Sequence, residues 1–242
     1  MNIQEAALIN EGLIKKNTYP GRGIIIGMSP DRQNYVQVYW IMGRSNNSRN
    51  RVFVREGSFM RTKAFDESKL EDPSLIIYYP IKDFNGCHIV TNGDQTDTIY
   101  DFLKQGKTFD DALKTREFEP DAPNFTPRIS GVLDLNNSPS YTLSVLKSES
   151  QNPDYCLRAF YYYDKFIPGN GHCIHTYESD GNPLPSFAGD PKLVRVFDDI
   201  NKTAEFYWDL LNEENKVSLV VKFVSFDGKE IEMKIINKHL PS

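Results

Sequence analysis

The chain has 242 residues, 39% hydrophobic and 25% charged, with 15 Phe, 13 Tyr and two Trp, the make-up of a globular protein that buries a core rather than of a disordered or fibrous chain. Its net charge is -5, yet residues 44–63 hold six cations against Glu56 alone. An acidic chain with one basic segment repels a long polyanion and still accepts a small one, which disfavours nucleic acid and leaves room for a phosphorylated metabolite.

Apolar runs such as 23–28 and 75–81 fall far short of the ~20 residues a membrane helix needs. The start Met1-Asn2-Ile3-Gln4-Glu5 lacks the features of a signal peptide. Cys87, Cys156 and Cys173 are odd in number and widely spaced, which suits reduced thiols and a cytoplasmic protein without a membrane partner.

Residues 4–16 predict a leading helix, with Ala7, Leu8, Ile9 and Leu13 at helical spacing and Lys15 and Lys16 at its C-terminus. Tyr19-Pro20-Gly21-Arg22 breaks the chain, and residues 23–28 read as a buried strand before a turn at Ser29-Pro30-Asp31. Residues 35–42 are apolar on both parities, as in a strand covered on both faces. A polar loop over 43–50 leads to a hairpin of 51–55 and 59–61 turning at Glu56-Gly57. Strands are predicted at 75–81 and 86–91, then a helix carrying Ile99, Phe102 and Leu103 and a second over 109–115. Residues 117–127, with Pro120, Pro123 and Pro127, form a connection. Strands at 129–135, 141–146, 155–163 and 173–177 precede a helix within 194–211, and 217–226 and 230–236 pair through Asp227-Gly228. The count is about ten strands with three or four helices, which implies a single α+β domain over 1–242, with 1–18 as a leading helical segment. Two packed, mostly antiparallel sheets flanked by helices fit that order.

The loop 43–51 gathers Arg44, Arg49 and Arg51 with Ser45, Asn46, Asn47, Ser48 and Asn50. Guanidinium forks, amides and hydroxyls suit phosphate, although a solvated polar loop explains the same composition. Arg22 stands at a strand mouth between glycines that would let a ligand approach the backbone, or else it is a surface residue beside a turn. Asn92-Gly93-Asp94-Gln95-Thr96-Asp97 joins a strand to a helix, where free N–H groups favour an anion. Asp94 as N-cap with Asp97 three residues on is the competing reading. At 169–175, Cys173 and His175 share a strand face away from His172, giving two ligands where zinc wants three or four; His88, beside Cys87, could supplement them, but the set is weak and no metal is expected.

Taken in order, Tyr19-Pro20-Gly21-Arg22-Gly23, Tyr39, Gly43-Arg44-Ser45, Asn50-Arg51 and Asn92-Gly93-Asp94-Gln95-Thr96-Asp97 resemble the archaeal-type IMP cyclohydrolase family and its bacterial relatives. The matches lie in the first hundred residues; Thr126-Pro127-Arg128-Ile129 and the later strands agree in general pattern. The link from Arg44-Ser45 to Asn50-Arg51 and the chain after residue 100 are longer than in the archaeal pattern.

The resemblance implies a four-layered αββα sandwich like that of the N-terminal-nucleophile hydrolases, used without such a nucleophile. It also implies closure of 5-formamidoimidazole-4-carboxamide ribonucleotide (FAICAR) to IMP with loss of water, the last step of purine biosynthesis, with no cofactor and in a homo-oligomer. Tyr39, Arg44 and Asp94 are then the catalytic candidates, and Arg22, Arg51, Ser45, Asn50, Asn92 and Gly93 the substrate-binding ones. Tyr39 is expected to act as general acid with its pKa lowered by a neighbouring guanidinium, and Asp94 as base. A non-catalytic purine-ribonucleotide sensor and an amide hydrolase of the same fold are the other readings.

Overall fold

The computed structural model describes residues 2–70, 73, 75–136 and 138–240. Strands β1 (Gly23–Met28) and β2 (Asn34–Met42) form the middle of a six-stranded sheet. β10 (Asn170–His175) and β11 (Lys192–Arg195) extend it on one side, β12 (Lys216–Ser225) and β13 (Ile231–Asn237) on the other. The second sheet has seven strands in sequence order: β3 (Arg51–Glu56), β4 (Phe59–Ala64), β5 (Ile81–Phe84), β6 (Cys87–Thr91), β7 (Arg128–Asp134), β8 (Ser140–Glu149) and β9 (Asn152–Tyr163). Neighbouring strands in both sheets run antiparallel.

The doubly apolar run of β2 explains the layering. Val36, Val38, Trp40 and Met42 face outward and pack with Ile14 of α1 (Ile3–Lys16) and Ala204 and Tyr207 of α5 (Ile200–Leu210). Tyr35, Tyr39 and Ile41 face inward, against Val90, Ile129, Leu133 and Leu143 of the other sheet. On that sheet's far side, Ile89, Val132 and Leu146 meet Ile99 of α3 (Gln95–Lys104) and Phe109, Ala112 and Leu113 of α4 (Phe109–Lys114). The order is therefore helices, sheet, sheet, helices. Trp40 fixes the tightest contact: a Cβ on Gly23 would lie 1.9 Å from its ring, so glycine is required where the indole crosses β1. No helix among the described residues is long and apolar enough to cross a membrane.

Four expectations need correction. Residues 75–81 are turns and bends, with only Ile81 entering a strand; Pro80 cannot donate to a ladder. The segment still lies along β4, where Thr62 N–H donates to the Tyr78 carbonyl at 2.9 Å. The loop 43–50 contains a one-turn helix, α2 (Asn46–Arg49), capped by Ser45. Residues 194–211 divide into the end of β11 and α5. On α1 the buried side carries Ala7, Glu11 and Ile14, while Leu8, Ile9 and Leu13 are exposed. Glu11 is buried because it grips Arg195 of β11 at 2.6 Å, so a carboxylate takes the place of an apolar residue.

A polar island interrupts the apolar layer between the sheets. Lys222 of β12, wholly buried, pairs with Asp83 of β5 and lies 3.0 Å from His88 Nδ1 of β6. The Gln37 amide donates to the His88 carbonyl at 2.9 Å. This pair ties one sheet to the other. Removing one partner of a buried pair leaves a bare charge and costs about 3–5 kcal/mol, whereas replacing both with apolar groups is far cheaper. Lys222→Met should therefore lose about that much in urea unfolding, and adding Asp83→Leu should recover most of it; a loss in the double variant as large as in the single one would show that the ion pair is not the cause.

Two histidines of β10 set an acid limit. His172 Nδ1 lies 2.6 Å from the Tyr141 hydroxyl and His175 Nδ1 3.0 Å from the Tyr177 carbonyl, and burial lowers both from 6.5 to about 4. Between those values the unfolded chain binds more protons than the folded one, so stability present above 6.5 is lost as pH falls toward 4. The melting temperature should drop across that window, and His175→Asn should flatten the drop; an unchanged profile would remove His175 from the account.

Candidate active site

One end of the sandwich collects the start of β1, the ends of β2, β6 and β10, and the starts of β3 and β7. Arg22 enters it just before β1. The backbone there is pinned by β10's exit, since Thr176 N–H donates to the Arg22 carbonyl at 2.9 Å and Arg22 N–H to Thr176 Oγ1 at 3.1 Å. Gly21 has φ +73°, and a Cβ on it would sit 2.0 Å from Thr176 Oγ1 and 2.6 Å from the Tyr177 ring. The glycines flanking Arg22 thus do not open space for a ligand. They let Thr176, Tyr177 and Trp40 close on the backbone and aim the guanidinium inward.

Arg22 Nη2 reaches Glu119 Oε1 at 2.5 Å, with both side chains almost wholly buried. Burial works against the charge of Arg22, but Glu119, and after it Tyr177, Tyr78 and Tyr39, hold the guanidinium's pKa well above its ordinary value. For Glu119 burial is the larger effect and raises the carboxyl's pKa, opposed by Arg22 and Arg128. Arg22 Nε is buried and has no hydrogen-bond partner among the described residues.

Three phenols surround this pair. The hydroxyls of Tyr39 and Tyr78 lie 2.7 Å apart, and that of Tyr177 lies 2.5 Å from Thr126 Oγ1. The pKa of Tyr39 moves opposite to expectation. Complete burial raises it well above its ordinary value, aided by Tyr78, and the nearby cations Arg22 and Arg51 do not offset this. Near neutral pH the phenol keeps its proton, which makes it a hydrogen-bond donor and a weak acid.

The remaining expected residues divide. Arg51 is buried beside Tyr39, but it donates to the carbonyls of Ser48 at 2.8 Å and Met42 at 3.1 Å. Arg44 stands at the rim, stacked 4.9 Å from the centre of the Tyr19 ring and bound to Asp180 at 2.5 Å and the Gly181 carbonyl at 3.0 Å. Tyr19 in turn stacks on Tyr177, which links Arg44 to the centre. Ser45 and Asn50 do not join the cluster: Ser45 caps α2, and Asn50 exchanges hydrogen bonds with the Asp66 backbone.

Asn92 is buried, accepting from Ile129 N–H and Gln95 and donating to the Pro127 carbonyl at 2.8 Å. A Cβ on Gly93 would lie 2.7 Å from Arg128 Nη1 and from Gln95 Oε1. Asp94 is not a side-chain cap of α3; its carboxylate bridges Arg116 at 2.5 Å and Arg128 at 2.6 Å. Partial burial would raise the Asp94 pKa, but the two arginines hold it below its usual value. The expected base is therefore a charged, doubly paired group, and two strong pairs outcompete a single backbone N–H.

Sequence reasoning misses Tyr78, Glu119, Thr126, Arg128 and Tyr177. Glu119 lies in the proline-rich connection and Tyr78 in the misread strand, so no periodicity marks them. Of the histidine and cysteine candidates, Cys173 belongs to the core under α1 and α5, and the described residues contain no group of three or more His, Cys, Asp or Glu side chains placed to hold a metal ion.

The pair at the centre makes a direct prediction. Glu119→Gln leaves Arg22 buried with no opposite charge and should cost about 3 kcal/mol of stability; a variant that unfolds at the parent's urea concentration would show that Glu119 does not hold the arginine.

No curated protein matches the chain in a sequence search. The IMP cyclohydrolase-like protein family does match, over residues 19–229, a span that includes every residue of the cluster just described. The chain belongs to the IMP cyclohydrolase-like family.

Proposed function

We propose that the protein closes the ring of FAICAR to form IMP and water. The observation that carries this reading is the buried Arg22–Glu119 pair ringed by Tyr39, Tyr78 and Tyr177 at the end of the sandwich where the family's motif segments meet. The four-layered architecture is of the kind found in N-terminal-nucleophile hydrolases, and here it acts without such a nucleophile.

In the reaction the carboxamide nitrogen attacks the formyl carbon. A C–N bond forms and the formyl oxygen gains negative charge; it takes up one proton from the carboxamide nitrogen and one from the formamide nitrogen, and its C–O bond breaks to release water as the ring C=N bond forms. The atoms balance without a redox partner. The protein must hold two groups of one molecule in contact, stabilise the oxygen's charge and supply protons. Arg22 offers a permanent positive charge and an unused Nε–H. The Tyr39 phenol, kept protonated by burial, donates a hydrogen bond to the developing oxyanion rather than acting as the principal acid. Glu119, paired with Arg22 while burial raises its proton affinity, takes the proton that the attacking nitrogen releases and returns it to the departing oxygen. The substrate is a small ribonucleotide.

Purified protein mixed with FAICAR should form IMP, seen as a saturable ultraviolet absorbance change above the uncatalysed rate. Tyr39→Phe should lower kcat by about 10²-fold, the usual effect of losing one oxyanion donor. Binding of IMP without turnover would assign the cluster to a sensor instead, and full activity in Tyr39→Phe would remove this phenol from the reaction.

A further inference from the structure

The three arginines of the sequence motifs are already occupied: Arg22 by Glu119, Arg51 by two backbone carbonyls, and Arg44 by Asp180 and the Gly181 carbonyl. A different set of cations lines an open recess of about 450 Å³ at the C-terminal end of α4 and the start of β7: Lys114, Arg116, Arg128 and Arg158. Arg158 supports the wall, donating to the Arg116 carbonyl through Nε at 3.2 Å and Nη2 at 2.8 Å. Glu117 lines the recess too, 3.7 Å from Arg158.

We propose that this recess is the phosphate subsite of the ribonucleotide, with Arg116 and Arg128 as the residues that grip the phosphate. The assignment rests on the reading of the buried cluster as a ribonucleotide site.

Arg128 spends only Nη1, on Asp94 at 2.6 Å and Gln95 Oε1 at 2.8 Å, so its Nε and Nη2 have no hydrogen-bond partner among the described residues. Arg116 spends Nη2 on Asp94 and Nη1 weakly on Thr98 at 3.4 Å, leaving Nε. The two forks are held by one carboxylate, Asp94, which fixes them without neutralising both. A phosphate dianion supplies the missing charge and accepts several N–H donors from planar guanidinium groups. Lys114, bound only at 3.8 Å to Asp111, is free to turn toward it.

The test is calorimetric titration of the full chain with inorganic phosphate at low ionic strength, alone and in the presence of saturating IMP or inosine. The expected result is phosphate binding that weakens about tenfold or more in Arg116→Gln and in Arg128→Gln, holds in Arg44→Gln, and is displaced by IMP but not by inosine. Arg116→Lys, which keeps the charge but loses the planar fork, should melt with the parent and bind with intermediate strength, so loss of affinity is separable from loss of fold. No phosphate binding, equal binding in Arg116→Gln, or phosphate and IMP bound together would overturn the assignment. Displacement by IMP without conversion of FAICAR would leave the subsite standing and remove the cyclohydrolase reading; conversion with phosphate and IMP bound together would do the reverse.

Discussion

The buried ion pair between Arg22 and Glu119 is the constraint on which the functional end of the molecule depends. Two charges taken out of water are tolerated only when geometry and further polar partners compensate the lost hydration. That requirement explains why the proline-rich stretch before β7 is ordered although it has no secondary structure. Glu119 must be delivered to Arg22, and its N–H is held by the Thr126 carbonyl at 2.9 Å while Thr126 is itself bound to Asp121 and Tyr177. The same requirement explains the phenols. Tyr39 and Tyr177, which burial holds protonated near neutral pH, surround the pair with polar groups that add no competing charge.

The rest of the fold serves to hold this end still. Antiparallel register places the entry of β1 beside the exits of β2 and β10, so Arg22, Tyr39 and Tyr177 are fixed by two ladders on either side of one strand. The second sheet brings β6 and β7 alongside, and the Asn92–Gln95–Arg128 network ties the strand-to-helix turn to the start of β7. Positive charge is graded across this surface. Arg22 is buried and spends Nη2 on Glu119 while its Nε has no partner among the described residues, Arg51 stiffens the loop around α2 through backbone carbonyls, Arg44 covers the aromatic rim, and the forks of Arg116 and Arg128 remain partly unused. A cation that is spent on structure cannot also grip a ligand strongly, because each N–H serves one acceptor well.

Much of the framework was legible in the chain. The doubly apolar β2 announced a strand between two layers, Glu56-Gly57 and Asp227-Gly228 announced hairpins, and the ordered motifs from Tyr19 to Asp97 announced the family. The errors have local causes. Residues 75–81 carry strand-forming side chains, yet Pro80 interrupts the ladder. On α1, the spacing of Ala7, Leu8, Ile9 and Leu13 points to an apolar stripe of which only Ala7 is buried, because a buried Glu11 is not expected until Arg195 is known to face it. Asp94 has the composition of a cap but pairs with arginines 22 and 34 residues away, at positions 116 and 128.

By itself the sequence determined the elements whose signals are short-ranged: alternation in strands, spacing in α3 and α4, turn residues, and the motif order that identifies the family. Those follow from backbone geometry and from burial of neighbouring side chains. The tertiary structure alone decided which charges meet. Glu119 finds Arg22 across 97 residues of chain, Tyr78 finds Tyr39, and Lys222 finds Asp83 and His88 across the gap between sheets. It also reversed the expected direction of the Tyr39 pKa, because the protonation of a group depends on its desolvation and on every charge around it, and neither is written in its neighbours along the chain.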